Sequence, residues 1–99
     1  MAELVRRGIQ VVVLSFLVAC GSGPPVQEMS DARQAIAVAR EAGAEQSAAQ
    51  QLRDAEALLD SAQQKLSDRD YDNARQDALE AKLKALDALA RTEHPQRDQ

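Results

Sequence analysis

The feature that most constrains the fold is the spacing of small apolar residues in the second half of the chain. Alanine and leucine alternate there at steps of four and three, which places them on one face of an α-helix. These residues are Ala48, Leu52, Ala55, Leu59, Ala62 and Leu66. The chain has no tryptophan, one tyrosine and one phenylalanine. Because alanine favours helix but buries little surface, the sequence predicts an all-α fold with thin, closely packed helix contacts.

A polar segment at residues 67–70 divides this helical pattern. Continued past Leu66, the same spacing would meet only polar residues, whereas a new alanine series starts in another phase at Tyr71. The new series is Tyr71, Ala74, Ala78, Ala81, Ala85 and Ala88. One straight helix cannot present both series to one partner, so two helices joined by a turn are predicted.

Two further series bear on whether the fold is an alanine-rich helical hairpin or a three-helix bundle. Small residues between Ala32 and Ala42 predict an earlier helix that begins after the N-cap residue Ser30. Gly43 either breaks this helix or only weakens it. The first helix could pack on a leucine series of the last helix, and both folds remain open. The expected helices are about 30–43, 46–67 and 71–91.

The first 19 residues have the pattern of an export signal. Arg6 and Arg7 precede an apolar run from Ile9 to Val18, which has about half of the length that crosses a bilayer core. Glycine and proline residues follow soon after. We therefore expect a cleaved signal peptide, not a transmembrane helix.

Cys20 is the only cysteine, and Leu17, Val18 and Ala19 precede it directly. These four residues resemble the lipobox of bacterial lipoproteins. The resemblance implies cleavage before Cys20 and lipidation of its thiol, and two or three acyl chains would give a durable membrane anchor. Gly21, where aspartate would favour the inner membrane, favours the outer membrane facing the periplasm. The alternative is an incidental thiol or one that pairs between chains.

The predicted organisation follows from these signals. Its parts are a signal peptide at 1–19, a lipidated cysteine and flexible tether at 20–29, a helical module at 30–92 and a disordered tail at 93–99.

Composition and spacing argue against several functional classes. The net charge is −4, and no basic stripe is present, so we expect no nucleic-acid partner. No nucleophile and histidine arrangement or glycine-rich phosphate loop is present, so we predict no enzyme, cofactor or small-molecule substrate. Asp68, Asp70 and Asp72 resemble the opening of an EF-hand loop, but Asn73 and Leu79 stand where glycine and a bidentate glutamate are expected. We therefore predict helix capping, with no metal site.

Most of the chain after Cys20 resembles a known family. The segments that carry the resemblance are residues 29–36, 41–44, 52–59 and 71–75, which look like domain of unknown function 4398. That resemblance implies a short bacterial envelope lipoprotein. Residues 55–81 are also similar to a tetratricopeptide-repeat hairpin, with Arg69 in place of the usual turn glycine.

The leading hypothesis is a membrane-anchored envelope lipoprotein whose helices act as a non-enzymatic interaction or structural module in the periplasm. Tyr71, Leu79, Leu83 and Leu86 are the candidate contacts to an envelope protein partner, although Tyr71 could instead pack across the hairpin turn. The alternatives are a homo-oligomeric coiled-coil structural lipoprotein and an accessory subunit of an envelope enzyme or export complex.

Overall fold

The structure is a computed structural model and describes residues 23–95. In this part the chain forms four α-helices and no strand, so the predicted all-α fold is confirmed. The helices are α1 (Val26–Glu41), α2 (Ala44–Ser47), α3 (Ala49–Ser67) and α4 (Tyr71–Glu93). The predicted signal peptide, Cys20 and most of the predicted tail lie outside the described residues.

The first helix begins at Val26, so the tether predicted for residues 20–29 is too long. Pro25 holds the N-cap position, where proline sacrifices no helical hydrogen bond because the first N–H groups of a helix have no partner within it. The Met29 N–H donates to the Pro25 carbonyl at 3.0 Å, and both residues are buried. Burial of Met29 therefore stabilises residues 26–29 as the first turn of the helix. Ser30 lies inside α1 and is not its N-cap.

Gly43 ends the first helix. Its φ of +99° is left-handed, a conformation that glycine adopts without the Cβ clash of other residues. The single turn α2 follows, and a non-helical backbone at Ala48, with φ −145° and ψ 48°, separates α2 from α3. The helix predicted for residues 46–67 is therefore divided. The buried side chains of Ala44 and Ala48 lie in one apolar cluster, so the change of direction lets both residues reach the core.

Arg69 shapes the turn between α3 and α4. It adopts a left-handed φ of +60°, and its N–H donates to the Leu66 carbonyl at 3.0 Å. The Asp70 N–H donates to the Lys65 carbonyl at 2.9 Å. Together these bonds form a Schellman motif, which satisfies the last carbonyls of α3. The chain then reverses, and α4 runs from Tyr71 to Glu93, against the predicted 71–91.

The alanine series of α4 forms the centre of a three-helix bundle. Five of its alanines are fully buried, namely Ala74, Ala78, Ala81, Ala85 and Ala88. One end of the core joins residues of α1, α2, α3 and α4, which are Ala35, Ile36, Ala39, Ala44, Ala48, Leu52, Ala55, Ala85 and Ala88. The other end joins Met29, Ala62 and Ala78. α1 therefore runs in the same direction as α4, and α3 runs opposite to both.

Of the leucine series on which the first helix could pack, only Leu89 lies against the core cluster that contains Ala35, Ile36 and Ala39 of α1. α1 and α3 both contact the alanine series, because side chains of this size allow two helices to approach a third closely. Leu79, Leu83 and Leu86 lie on the opposite side of α4 and remain outside the bundle.

Candidate interaction surface

The leucine face of α4, which comprises Leu79, Leu83, Leu86 and Ala90, is exposed. Its residues follow one another at steps of four, three and four, so they form one continuous stripe along the helix. Leu79, Leu83 and Leu86 expose 46%, 65% and 42% of their surface. Contiguous exposed apolar residues with a polar rim are typical of interaction sites.

Charged residues of opposite sign flank the leucine face. At 100° per residue, Glu80 and Asp87 project on one side of it, whereas Arg75 and Lys82 project on the other. Glu80 and Asp87 also line a shallow surface depression, together with Leu83 and Lys84. We call the side with Glu80 and Asp87 the acidic edge and the side with Arg75 and Lys82 the basic edge; Lys84 and Arg91 lie farther from the leucines behind the first, and Glu93 lies beside the second.

Tyr71 lies apart from the other predicted contact residues. It is the first residue of α4 and is half-buried. Leu79 follows about two turns later along the helix. The four residues predicted as partner contacts therefore do not form one surface, since only the three leucines share a face.

Arg75 connects the start of the described chain to α4. Its Nη2 donates to the Gly23 carbonyl at 2.6 Å, and its Nε lies 3.4 Å from Oε1 of Glu28. A weaker contact of 3.6 Å joins its Nη1 to Asp72, and the Arg75 side chain is 24% exposed. We call these four residues the Arg75 junction. Sequence reasoning missed it, because no local pattern pairs residues so distant in the chain.

Asp77 ties α3 to α4 at the same end of the bundle. Lys65 Nζ and Ser61 Oγ donate to Asp77 Oδ2 at 2.7 Å and 2.6 Å. The Asp77 side chain is only 15% exposed. The hydrogen bonds from Lys65 and then Ser61 lower the pKa of Asp77 below its ordinary value of 3.8, against the raising effect of burial.

The acidic run at the α3–α4 turn is held by local contacts. Both carboxylate oxygens of Asp70 accept from Asn73 Nδ2, at 3.0 Å and 2.9 Å. Asp70 occupies the N-cap position of α4, but its side chain bonds no backbone N–H, so the predicted side-chain capping by this residue is wrong. The Asp70 carboxylate instead accepts hydrogen bonds from the Asn73 side-chain amide. Among residues 23–95, no group of three His, Cys, Asp or Glu side chains could hold a metal ion.

A second, more polar surface lies between α1 and α3. Arg40 Nη2 pairs with Glu56 Oε1 at 2.8 Å across this groove. The remaining lining residues are Arg33, Ile36, Leu59 and Asp60. The arrangement bridges two helices with an ion pair, and it presents less apolar surface than the leucine face.

Comparison with known proteins gives one match. The family described as domain of unknown function (DUF4398) matches residues 27–99. No curated protein and no solved structure matches the chain. Within the described part, none of the helices is both long and apolar enough to cross a membrane.

Proposed function

We propose, for a chain that belongs to the DUF4398 family, the function of a lipid-anchored lipoprotein of the bacterial envelope. The helical bundle would serve as a non-enzymatic interaction or structural module on the periplasmic side of the outer membrane. The observation that carries this proposal is the lipobox-like run Leu17–Cys20, which lies at the end of a short apolar segment that a charged segment precedes.

The Arg75 junction supports a bundle held close to the membrane. Because Arg75 binds the Gly23 carbonyl, only Gly21 and Ser22 separate the proposed anchor from a residue attached to α4. Three peptide steps from Cys20 to Gly23 span at most about 11 Å. In this proposal the α3–α4 turn faces the membrane, and the far end of the bundle points into the periplasm.

The leucine face supports an interaction role. Burying three half-exposed leucines against a partner would stabilise the complex through the hydrophobic effect. The ionisable groups that the fold brings together, Lys65 with Asp77 and Arg75 with Glu28, bridge neighbouring helices, which favours a non-enzymatic module. We further propose that the α3–α4 hairpin is tetratricopeptide-like in its use of buried alanines.

The test is Cys20→Ala in the full chain, expressed in a bacterium that processes lipoproteins. We expect loss of incorporated labelled fatty acid, retention of the signal peptide and a changed membrane fractionation. Ser22→Ala is the matched control, because it alters a neighbouring small residue and leaves the lipobox intact. Unchanged labelling and fractionation of the Cys20→Ala chain would refute the anchor.

A further inference from the structure

The leucine face has the spacing of a coiled-coil seam. Leu79 and Leu86 lie seven residues apart, as do Leu83 and Ala90, and the two pairs interleave at steps of four and three. This is the repeat by which two helices pack their side chains into each other. Neither α1 nor α3 covers this face, so the bundle itself leaves the seam unfilled.

The charged edges select an orientation for a second helix. If Leu83 and Ala90 occupy the a positions of the heptad, Leu79 and Leu86 occupy the d positions. Lys82 then occupies a g position and Asp87 an e position. These are the positions that pair across a parallel two-stranded coiled coil, with a separation of five residues. Lys82 is partly exposed, and no contact within residues 23–95 pairs it with an acidic group. Asp87 is paired with Arg91 at 3.1 Å and is still 45% exposed.

An antiparallel pair would bring like charges together. In that arrangement the acidic edge with Glu80 and Asp87 meets the acidic edge of the other helix, and the basic edges also meet each other. Like charges across an interface oppose association, whereas the parallel arrangement sets each basic edge against an acidic edge. The charge pattern of α4 is therefore complementary to a parallel copy of itself.

We infer that the leucine face is the interface of a parallel homodimer, in which α4 of one copy packs along α4 of a second copy. Lys82 of each copy pairs with Asp87 of the other. The inference deepens the proposed function and rests on it in one respect. Two copies anchored in one membrane present α4 in the same direction, and confinement to that surface raises their effective concentration.

Disulfide cross-linking in the full chain tests the interface and its direction. Leu79→Cys and Leu86→Cys are made separately, and each is treated with a mild oxidant in cells. In a parallel dimer each position faces its own counterpart, so both variants should form a covalent dimer several-fold more than the controls. The controls are the parent chain, which retains Cys20, and Gln63→Cys on an exposed position of α3.

Charge exchange tests the pairing of Lys82 with Asp87. On the Leu79→Cys background, Lys82→Glu and Asp87→Lys should each lower the cross-linked fraction several-fold, and the two changes together should restore it. A circular dichroism melt of each variant establishes that the bundle remains folded. Failure of the double variant to recover while folded would overturn the pairing.

The remaining outcomes distinguish failure of the dimer inference from failure of the lipid-anchor proposal. If Leu79→Cys cross-links only when mixed with Ala90→Cys, the helices are antiparallel and the inference is wrong, because the two kinds of core position face each other in an antiparallel coiled coil. A cross-link to a protein of another mass would likewise overturn the homodimer. Absence of cross-links in a lipidated, membrane-bound chain refutes the dimer alone. Cross-links in a chain that incorporates no lipid support the dimer and refute the anchor.

Discussion

Arg75 Nη2 on α4 donates to the backbone carbonyl of Gly23, 52 positions earlier in the chain, at 2.6 Å. The same guanidinium lies 3.4 Å from the Glu28 carboxylate in the first turn of α1. This side chain therefore attaches both the segment before α1 and the start of α1 to the third helix of the bundle. The conformation of residues 23–28 therefore depends on contacts with Arg75 of α4.

We predict that Arg75→Gln loosens the start of α1. A hydrogen bond to a charged group contributes about 1.5–3 kcal/mol, and partial exposure reduces this, so a loss of about 1–2 kcal/mol in unfolding free energy is expected. Amide hydrogen exchange should rise in residues 26–29 more than elsewhere. Arg53→Gln is the control, because Arg53 bonds only the exposed Gln50 and should change stability by less than about 0.5 kcal/mol. Equal exchange in both variants would contradict the junction.

We predict that Asp77→Asn destabilises the bundle by about 1–2 kcal/mol at neutral pH, because it removes the charge that Lys65 and Ser61 stabilise across α3 and α4. Thermal melts measure the change. Asp31→Asn is the matched control, since Asp31 accepts a hydrogen bond from Gln27 along one exposed helix face and its loss should cost less than about 0.5 kcal/mol. A cost for Asp77→Asn no larger than that of the control would refute the bridging role.

The effect of Asp77 depends on pH with a definite sign. The folded-state pKa of Asp77 lies below its ordinary value of 3.8, so its contribution is present above pH 3.8 and is lost as the pH falls through the folded pKa. Melts of the parent and Asp77→Asn chains should differ at neutral pH and converge below about pH 3.8. A difference that grows on acidification would contradict the lowered pKa.

We predict that substitutions at the two turn residues with left-handed backbone, Gly43 and Arg69, change the free energy of unfolding in opposite directions. Gly43→Ala places a Cβ at φ +99°, which should cost about 1–2 kcal/mol, although the added Cβ itself meets only Gln46 at 3.9 Å. Arg69→Gly removes the same strain at φ +60° and should stabilise by about 1 kcal/mol. In a bundle of this size each change of about 1 kcal/mol shifts the Tm by about 4–8 °C. Shifts of the same sign would contradict the backbone argument.

We predict that Ala78→Leu destabilises the bundle by about 1–3 kcal/mol through overpacking. Ala78 is fully buried in a cluster with Met29 and Ala62, so the added atoms have to displace α1 or α3. Gln63→Leu on the exposed side of α3 is the control for the added leucine and should change the Tm little. An unchanged melting temperature of Ala78→Leu would mean that Ala78 is not tightly packed against α1 and α3.

Much of the helical architecture could be predicted from the sequence because it depends on local periodicity. The phase change between Leu66 and Tyr71 indicates two antiparallel helices, and the structure has this hairpin in α3 and α4. The start of α1 could not be predicted in this way. Ser30 is a good N-cap locally, but burial of Met29 against Ala62 and Ala78 extends the helix to Val26.

The sequence by itself determined where helices form and which alanines can lie on one face, since both follow from residue propensity and a 3.6-residue repeat. The tertiary structure decided which face of α4 is buried. Leucine would bury more surface per residue, yet only the alanine series lets α1 and α3 approach α4 at the same time. That competition leaves Leu79, Leu83 and Leu86 exposed. The junction between Arg75 and Gly23 also arises only in three dimensions, because the bundle brings together residues that no local repeat connects.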